Sequence, residues 1–358
     1  MIKVLHVGEY VQGGVATYIS TLINHPEFPD VDDYLICADK NSETKWKISA
    51  DHIQYYSYHR SLMQIPKAMF AIRKAIKQIK PDVVYCHSTW AGLFVRFPML
   101  FLGKSCRVIY NAHGWAFLRD TAEWKRKIYA GIERILQRKT NCIINVSKYE
   151  YNAAIRYGLK KVNQTVIYSG ISPEKGKIDS QVKLPLRKIN LLFVGRFDPQ
   201  KGLDVLLNAF NSCHRQDLHL TVIGDNVVGG GIKIEKKNTD RITFLGWIPH
   251  DKLASYYSAC DVVVMPSRWE AFGLVAIEAM KYGRAVIVSD RGALPELIEN
   301  GKNGFVFKFE EIEQLIGILE KISLDDLRVI SSFNEKEFSN KYQDKFVKMS
   351  TYQLYQNR

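Results

Sequence analysis

Pro266-Ser267-Arg268-Trp269-Glu270-Ala271-Phe272-Gly273-Leu274-Val275-Ala276-Ile277-Glu278-Ala279-Met280-Lys281-Tyr282 is the stretch that decides how this chain is read. The apolar run Asp261-Val262-Val263-Val264-Met265 leads into it and predicts a short buried strand. A turn holding Glu270 and Gly273 follows, then a helical pattern through Glu278. The two glutamates are eight residues apart, a little over two helical turns, so they share one face. Glu270 falls in the loop before the helix and Glu278 inside it. The backbone N–H groups of Phe272, Gly273, Leu274 and Val275 then lie at a helix N-terminus, where an anion is favoured. A carboxylate beside such a helix start suits a ligand with both hydroxyls and phosphates, a sugar nucleotide. An amphipathic helix with a solvated glutamate at each end has the same spacing.

Working outward, the 358 residues are long for one core, and two domains of about 150–200 residues are expected. With 46% hydrophobic and 24% charged residues the composition is globular. The longest apolar stretch, Trp90 to Gly103, is short for a membrane span and is broken by Arg96 and Pro98. The chain opens on Ile2-Lys3-Val4-Leu5-His6-Val7, a strand pattern and not a secretory signal. Its six cysteines are scattered with no Cys-x-x-Cys pair, which reads as free thiols in a reducing cytoplasm.

The net charge of +13 is lopsided. Residues 1–165 carry 24 Lys+Arg against 13 Asp+Glu, 24 − 13 = +11, and the remainder carries 26 against 24, +2. No interleaving of cations with aromatics forms a nucleic-acid recognition motif, and no nucleic-acid partner is expected. An anionic membrane surface or a pyrophosphate-linked lipid suits the excess. Arg60 to Lys80 holds six basic residues and no acid. Its apolar positions fall at helical spacing, as in a helix packing on a sheet. Lys125-Arg126-Lys127, with Arg134, Arg138 and Lys139, follows Trp124. With Trp115 and Phe117 nearby, this cluster is expected to form a membrane-facing edge of the first domain.

The first half alternates strands (2–7, 34–38, 82–86, 107–111, 142–146, 164–168) with helices (15–24, 62–79, 90–102, 121–138, 148–157). This is the pattern of a doubly wound parallel sheet. Gly8 to Gly14 is a glycine-bearing strand-to-helix turn; a dinucleotide site would need Gly-x-Gly-x-x-Gly, and the spacing is wrong. Ser172 to Leu186, with Pro173, Gly176 and Pro185, reads as the linker. The alternation restarts at Ile189–Val194, which runs into Gly195-Arg196-Phe197-Asp198-Pro199-Gln200-Lys201-Gly202.

The Glu270…Glu278 pair resembles the Glu-x7-Glu signature of the retaining glycosyltransferases of family GT4. That family has the α/β GT-B fold, two facing Rossmann-like domains with a cleft between them. Further resemblances recur in order along nearly the whole chain, at Gly8–Gly14, Asn111-Ala112-His113-Gly114, Val166–Ile171, Gly195–Gly202, Gly224-Asp225, Gly246-Trp247-Ile248-Pro249 and Gly301–Val306. Ser169 stands where the family usually has asparagine, which touches only the detail of that turn.

The resemblance implies domains at 1–170 and 187–337, with a C-terminal helix, about 338–358, crossing back to the first. It implies that Arg196 and Lys201 hold the donor pyrophosphate, stabilising the charge that grows as the glycosidic bond breaks. Glu270 and His113 meet the donor sugar. Gly13, Gly14 and Gly195 let backbone approach the phosphates, since a Cβ would block it. Glu278 takes the ribose hydroxyls, and Phe272, Gly273, Leu274 and Val275 offer N–H groups. Trp247 is either a base-stacking residue or a core residue.

No metal or other cofactor is expected. Asp30-Val31-Asp32 spells a short acidic triplet but lies in a polar loop before the second strand. The expected activity is metal-independent, retaining transfer of a hexose or N-acetylhexosamine from a nucleotide sugar, UDP-linked by preference. The expected acceptor is a lipid-linked glycan of bacterial surface polysaccharide, O-antigen or capsule. The expected location is the cytoplasm, with peripheral contact at the cytoplasmic face of the inner membrane. The alternatives are a sugar-nucleotide epimerase or hydrolase of the same fold, and a non-catalytic sugar-nucleotide-binding protein.

Overall fold

The computed structural model describes residues 1–23, 26–103, 106–226 and 234–356. Residue 24 and residues 357–358, the last positions of two expected helices, lie outside them. The chain divides into two units, Met1–Ile171 with Asp344–Arg358, and Ser172–Gln343.

The first unit runs β1 (Ile2–Gly8), α1 (Gly14–Leu22), β2 (Val31–Ala38), β3 (Ile53–Tyr56), α2 (Ile65–Ile79), β4 (Val83–His87) and α3 (Thr89–Leu102). It continues through β5 (Arg107–Asn111), α4 (Glu123–Leu136), β6 (Cys142–Asn145), α5 (Lys148–Arg156) and β7 (Gln164–Val166). Its seven strands lie in the order β3-β2-β1-β4-β5-β6-β7, and every recorded pairing is parallel. Strands covered on both faces read as near-continuous apolar runs, which is why most were visible in the sequence. The short β3, Ile-Gln-Tyr-Tyr at the sheet edge, was not expected; only its Tyr56 is buried.

The second unit runs β8 (Ile189–Val194), α6 (Leu203–Ser212), β9 (Leu218–Ile223), β10 (Ile242–Gly246), α7 (Leu253–Ala259), β11 (Val262–Met265) and α8 (Leu274–Lys281). Then come β12 (Ala285–Ser289), α9 (Leu294–Leu297), β13 (Gly304–Phe307), α10 (Ile312–Lys321) and α11 (Leu324–Lys341). Its parallel strands lie in the order β10-β9-β8-β11-β12-β13. In both sheets the winding reverses beside the first strand, between β1 and β4 and between β8 and β11. Open α/β sheets bind ligands at the carboxyl ends of the strands that flank such a reversal.

The tail is two helices and not one. α11 stops at Lys341 and stays in the second unit, and the last helix, α12 (Asp344–Gln356), belongs to the first. α12 buries Val347, Thr351 and Tyr355. Tyr352 stacks on Phe28 with ring centroids 4.1 Å apart and donates from its hydroxyl to Asp30 Oδ2 at 2.8 Å.

α3 and α4 share a buried ion pair. Arg96 Nη2 donates to Glu133 Oε2 at 2.9 Å, the guanidinium lies 3.6 Å from the centroid of the Tyr110 ring, and Tyr110 Oη donates to Glu133 Oε1 at 2.9 Å. All six cysteines are free thiols. Among the described residues no helix is long and apolar enough to cross a membrane.

Candidate active site

Two loops leave the carboxyl ends of β8 and β11, the strands that flank the second unit's reversal point. The first carries Gly195, Arg196 and Lys201; the second carries Ser267 to Gly273 with Glu270. They are fastened together at several points. Arg268 N donates to Gln200 O at 2.7 Å, and Gln200 Nε2 donates to Trp269 O at 3.2 Å. Arg268 holds Asp204 with both ends of its guanidinium, at 2.9 and 2.7 Å, a bidentate pair with fixed geometry. Gly202 lies so close to the second loop that a Cβ would stand 1.9 Å from Pro266 O. Only glycine serves there, where φ is +67°.

Within this frame Lys201 Nζ reaches Glu270 Oε1 at 2.5 Å, and Ser267 Oγ donates to the same oxygen at 3.0 Å. Glu270 is 6% exposed, so its charge is compensated by the lysine and not by bulk water. Its backbone is clamped as well, with Ala293 N donating to Glu270 O at 3.0 Å. Gly292 presses so close to Glu270 that a Cβ there would meet Glu270 O at 2.2 Å. Arg196 is half-exposed and rests on Asp198 at 2.9 Å, with Gln200 Oε1 3.4 Å from its Nη2. A Cβ on Gly195 would stand 3.4 Å from Lys201 Cγ, which puts that glycine under the lysine stem. Of the residues singled out in the sequence, Gly195, Arg196, Lys201 and Glu270 are thus brought together.

Glu278 sits in α8 and is also buried, with different partners. Tyr257 Oη donates to its Oε2 at 2.6 Å, and His250 Nε2 lies 2.9 Å from its Oε1. That hydrogen bond foremost, and then the carboxylate's charge, raises the His250 imidazole above its ordinary range, against the pull of desolvation. Each carboxylate oxygen has a second lone pair, so these partners leave Glu278 able to accept from a hydroxyl. Gly273 caps α8 with φ +113°, and the first-turn N–H groups at Leu274 and Val275 have no intrahelical acceptor. Phe272 contributes only backbone there; its ring is buried and meets Tyr342 edge-on. Trp247, after β10, is 65% exposed, which removes the core reading for that residue.

The first unit has its own cluster at its reversal point. Gly13 precedes α1 with φ +60°, and Gly14 opens the helix. His113 follows β5 with φ +50°, a conformation that costs energy for a residue with a Cβ. Its N–H donates to Asn111 Oδ1 at 2.9 Å, and its Nε2 lies 3.1 Å from His87 Nδ1. Burial pushes the His113 imidazole down to about 3, so the ring is neutral at pH 7. His6 and His87 join this cluster and were not singled out in the sequence. Trp115 and Phe117, expected at a membrane-facing edge, are fully buried in the core. The acidic triplet does not precede the second strand, since Val31 and Asp32 open β2, and its carboxylates are engaged elsewhere: Asp30 accepts from Tyr352, Asp32 from Tyr34.

Family models match both units. The model for Glycosyltransferase Family 4 covers residues 12–175, and that for Glycosyl transferases group 1 covers residues 174–339. A Klebsiella pneumoniae protein, described as an uncharacterized 41.2 kDa protein in the cps region, is 37% identical over 370 aligned positions, 99% of each chain. The Escherichia coli UDP-Gal:alpha-D-GlcNAc-diphosphoundecaprenol alpha-1,3-galactosyltransferase is 25% identical over 346 positions, 88% of each chain. Among solved structures, Anabaena HepE in complex with UDP and glucose superposes with a TM-score of 0.80 at 19% identity over 100% of both chains, a likeness of fold.

Proposed function

The chain belongs to glycosyltransferase family 4, with that family's GT-B architecture of two Rossmann-like units, and from that premise we propose that it transfers a hexose or N-acetylhexosamine from a UDP-linked donor to a lipid-linked glycan, with retention. The observation that carries the reading is the Lys201–Glu270 pair at the reversal point of the second sheet. A cation and a carboxylate held together there provide for both parts of a sugar diphosphate. When the donor enters, Lys201 and Arg196 exchange their carboxylate partners for diphosphate oxygens. Glu270 is then released to accept from hydroxyls of the donor sugar, and Glu278 takes the ribose. His113 is assigned to the donor sugar on the family resemblance alone.

Bond cleavage leaves a nucleoside diphosphate whose added charge falls on Arg196, Lys201 and the α8 N–H groups, groups positioned before the reaction starts. The acceptor attacks from the face the leaving group departs, and the departing phosphate oxygen takes its proton. This account needs no metal, and turnover unchanged by EDTA is the expected outcome.

The acceptor assignment draws support from α4. Its apolar residues Trp124, Ile128, Ile132 and Ile135, spaced four, four and three apart, are all exposed, while Ala130, Glu133 and Leu136 face inward. A helix that turns its large apolar side chains to solvent and is ringed by Lys125, Arg126, Lys127, Arg134 and Arg138 suits an anionic bilayer surface. The relatedness to an enzyme named for a diphosphoundecaprenol acceptor points the same way.

Radiolabelled UDP-sugars incubated with bacterial membrane lipids test the reading. Label passing into the lipid fraction supports it. Free sugar or an epimer formed without lipid would make the protein a hydrolase or epimerase, and binding without turnover would make it a sugar-nucleotide-binding protein.

A further inference from the structure

Four side chains form one unbroken line through the first unit. Asp33 on β2, His6 on β1 and His87 on β4 lie on one face of the sheet, since the parallel register sets Val4 beside Asp33, His6 beside Tyr85 and Gly8 beside His87. Asp33 Oδ1 is 3.1 Å from His6 Nε2, His6 Nδ1 is 3.0 Å from His87 Nε2, and His87 Nδ1 is 3.1 Å from His113 Nε2. His6 and His87 are completely buried, Asp33 nearly so, and His113 closes the line where β5 ends. The rings stack at small angles, 19° between His6 and His87 and 21° between His87 and His113. Tyr18 meets His113 edge-on with centroids 4.6 Å apart, which fixes the last ring laterally.

A neutral imidazole has one N–H and one lone pair, so each ring in such a line must donate at one nitrogen and accept at the other. An ionised carboxylate only accepts. Given an ionised Asp33 at the inner end and a neutral His6, His6 donates from Nε2 and accepts at Nδ1. His87 then donates from Nε2 and accepts at Nδ1. His113 must donate from Nε2, which leaves its Nδ1 with a lone pair.

We propose that Asp33, His6 and His87 are positioning residues that set the tautomer of His113, so that it offers Nδ1 as a hydrogen-bond acceptor to a hydroxyl of the donor sugar. The proposal rests on the reading that His113 contacts the donor, and it sharpens that reading: with this tautomer the ring receives an O–H and has no proton at Nδ1 for a phosphate oxygen. Burial holds His87 well below its usual range and His113 at about 3, in keeping with neutral rings.

Nitrogen NMR of the full chain labelled with 15N-histidine tests the tautomer without any donor present. In the parent protein His113 should show a protonated Nε2 and a bare Nδ1. In His87→Phe and in Asp33→Asn, His113 should become a mixture of tautomers. Asp33→Asn substitutes nearly the same shape, so it serves if His87→Phe fails to fold. A proton on Nδ1 of the parent protein, or a His113 signal indifferent to both substitutions, overturns the proposal. In the transfer assay the same variants should lower kcat by up to about tenfold, the scale of one lost hydrogen bond. UDP affinity should be unchanged. A shifted tautomer with unchanged turnover would uphold the line of residues and refute the contact between His113 and the donor, so the two ideas fail separately.

Discussion

Lys201 Nζ lies 2.5 Å from Glu270 Oε1, a contact made across 69 residues of chain between the loops that follow β8 and β11. Without a donor, each group neutralises the other. On the proposed reading the contact explains how a carboxylate tolerates a site for an anion, and it gives Lys201 two roles, diphosphate binding and the stability of a buried acid. Lys201→Ala should lower turnover by about 10²–10³, the scale for deleting one charge-stabilising group. It should weaken UDP binding by calorimetry and lower Tm, since among the described residues the Glu270 carboxylate then keeps the Ser267 hydroxyl as donor but no cation. Transfer at the parental rate would remove the diphosphate role.

Much of this site was legible in the sequence because its parts are local. The Gly195–Gly202 loop and the Glu270 loop each announce themselves as an apolar strand followed by glycine, charge and a helix, and family resemblance sets their order. What brings them together, the reversal of winding between β8 and β11, follows from parallel α/β topology. Partners drawn from distant strands were not legible. His6, Asp33 and His87 sit 27 and 81 residues apart along the chain and meet only through sheet register. His250 reaches Glu278 from 28 residues away. Trp115 and Phe117 stood beside cations in the sequence, yet the chain folds them into the core, and the exposed stripe of α4 lies at the spacing ordinarily taken as a core face. The tail divides at Tyr342–Gln343, where the chain passes from one unit to the other.

Gly292 and Gly301 make a controlled pair. Both have positive φ, +64° and +77°, but a Cβ on Gly301 meets nothing within 4 Å, whereas one on Gly292 stands 2.2 Å from Glu270 O and 2.6 Å from Glu270 N. Gly301→Ala should cost about 1 kcal/mol of stability, the backbone cost of that conformation, and leave turnover alone. Gly292→Ala should cost more and should also depress turnover, because the backbone of Glu270 must move. Chemical denaturation together with donor kinetics distinguishes them. Equal losses in both variants would show that the Glu270 backbone is not held by this contact.

His250 gives the site a pH-dependent element. Its pairing with Glu278 raises the imidazole above the usual value of about 6.5. A raised value means the charged pair is complete below that pH and is lost as pH rises through the raised midpoint. By NMR titration the parent His250 should lose its proton at a higher pH than the same ring in Glu278→Gln, where it should fall back toward 6.5. The stability difference between the parent and His250→Gln should shrink across the same interval. Identical midpoints in the parent and Glu278→Gln would dismiss the pair. The His250 side chain is mostly exposed, so the effect on stability is small and the titration is the sensitive measurement.

The Arg96–Glu133 pair allows a test of the first unit's core apart from any ligand. Arg96 is completely buried, and Glu133 2% exposed, with Tyr110 completing the carboxylate's hydrogen bonds. Glu133→Gln keeps the shape and strands the guanidinium charge, which should cost about 3–5 kcal/mol. Replacing both at once by Arg96→Met and Glu133→Leu should recover much of that loss, because no buried charge is then left uncompensated. A denaturant series on the parent, Glu133→Gln, Arg96→Met, Glu133→Leu and the double variant checks it. A double variant as unstable as the sum of both single losses would mean that the pair, and not the absence of stranded charge, stabilises this packing.

α4 carries the prediction about location. Trp124 and Ile128 are 61% and 50% exposed, and cations flank them on the same helix. The protein should sediment with vesicles containing anionic phospholipid at low salt and release as salt rises, because each cation near such a surface contributes about 1 kcal/mol within a Debye length. Lys125→Gln with Arg126→Gln and Lys127→Gln should remove about 3 kcal/mol, roughly a hundredfold in partition, and flatten the salt dependence. Trp124→Ser with Ile128→Ser should weaken partition by a term that salt does not screen, because it comes from apolar burial. Transfer to a water-soluble acceptor analogue should be unaffected by either set, since the proposed donor contacts include no residue of α4. If the parent protein ignores anionic vesicles at low salt but elutes as a dimer that the serine pair dissolves, the stripe is an interface between copies and not a membrane contact.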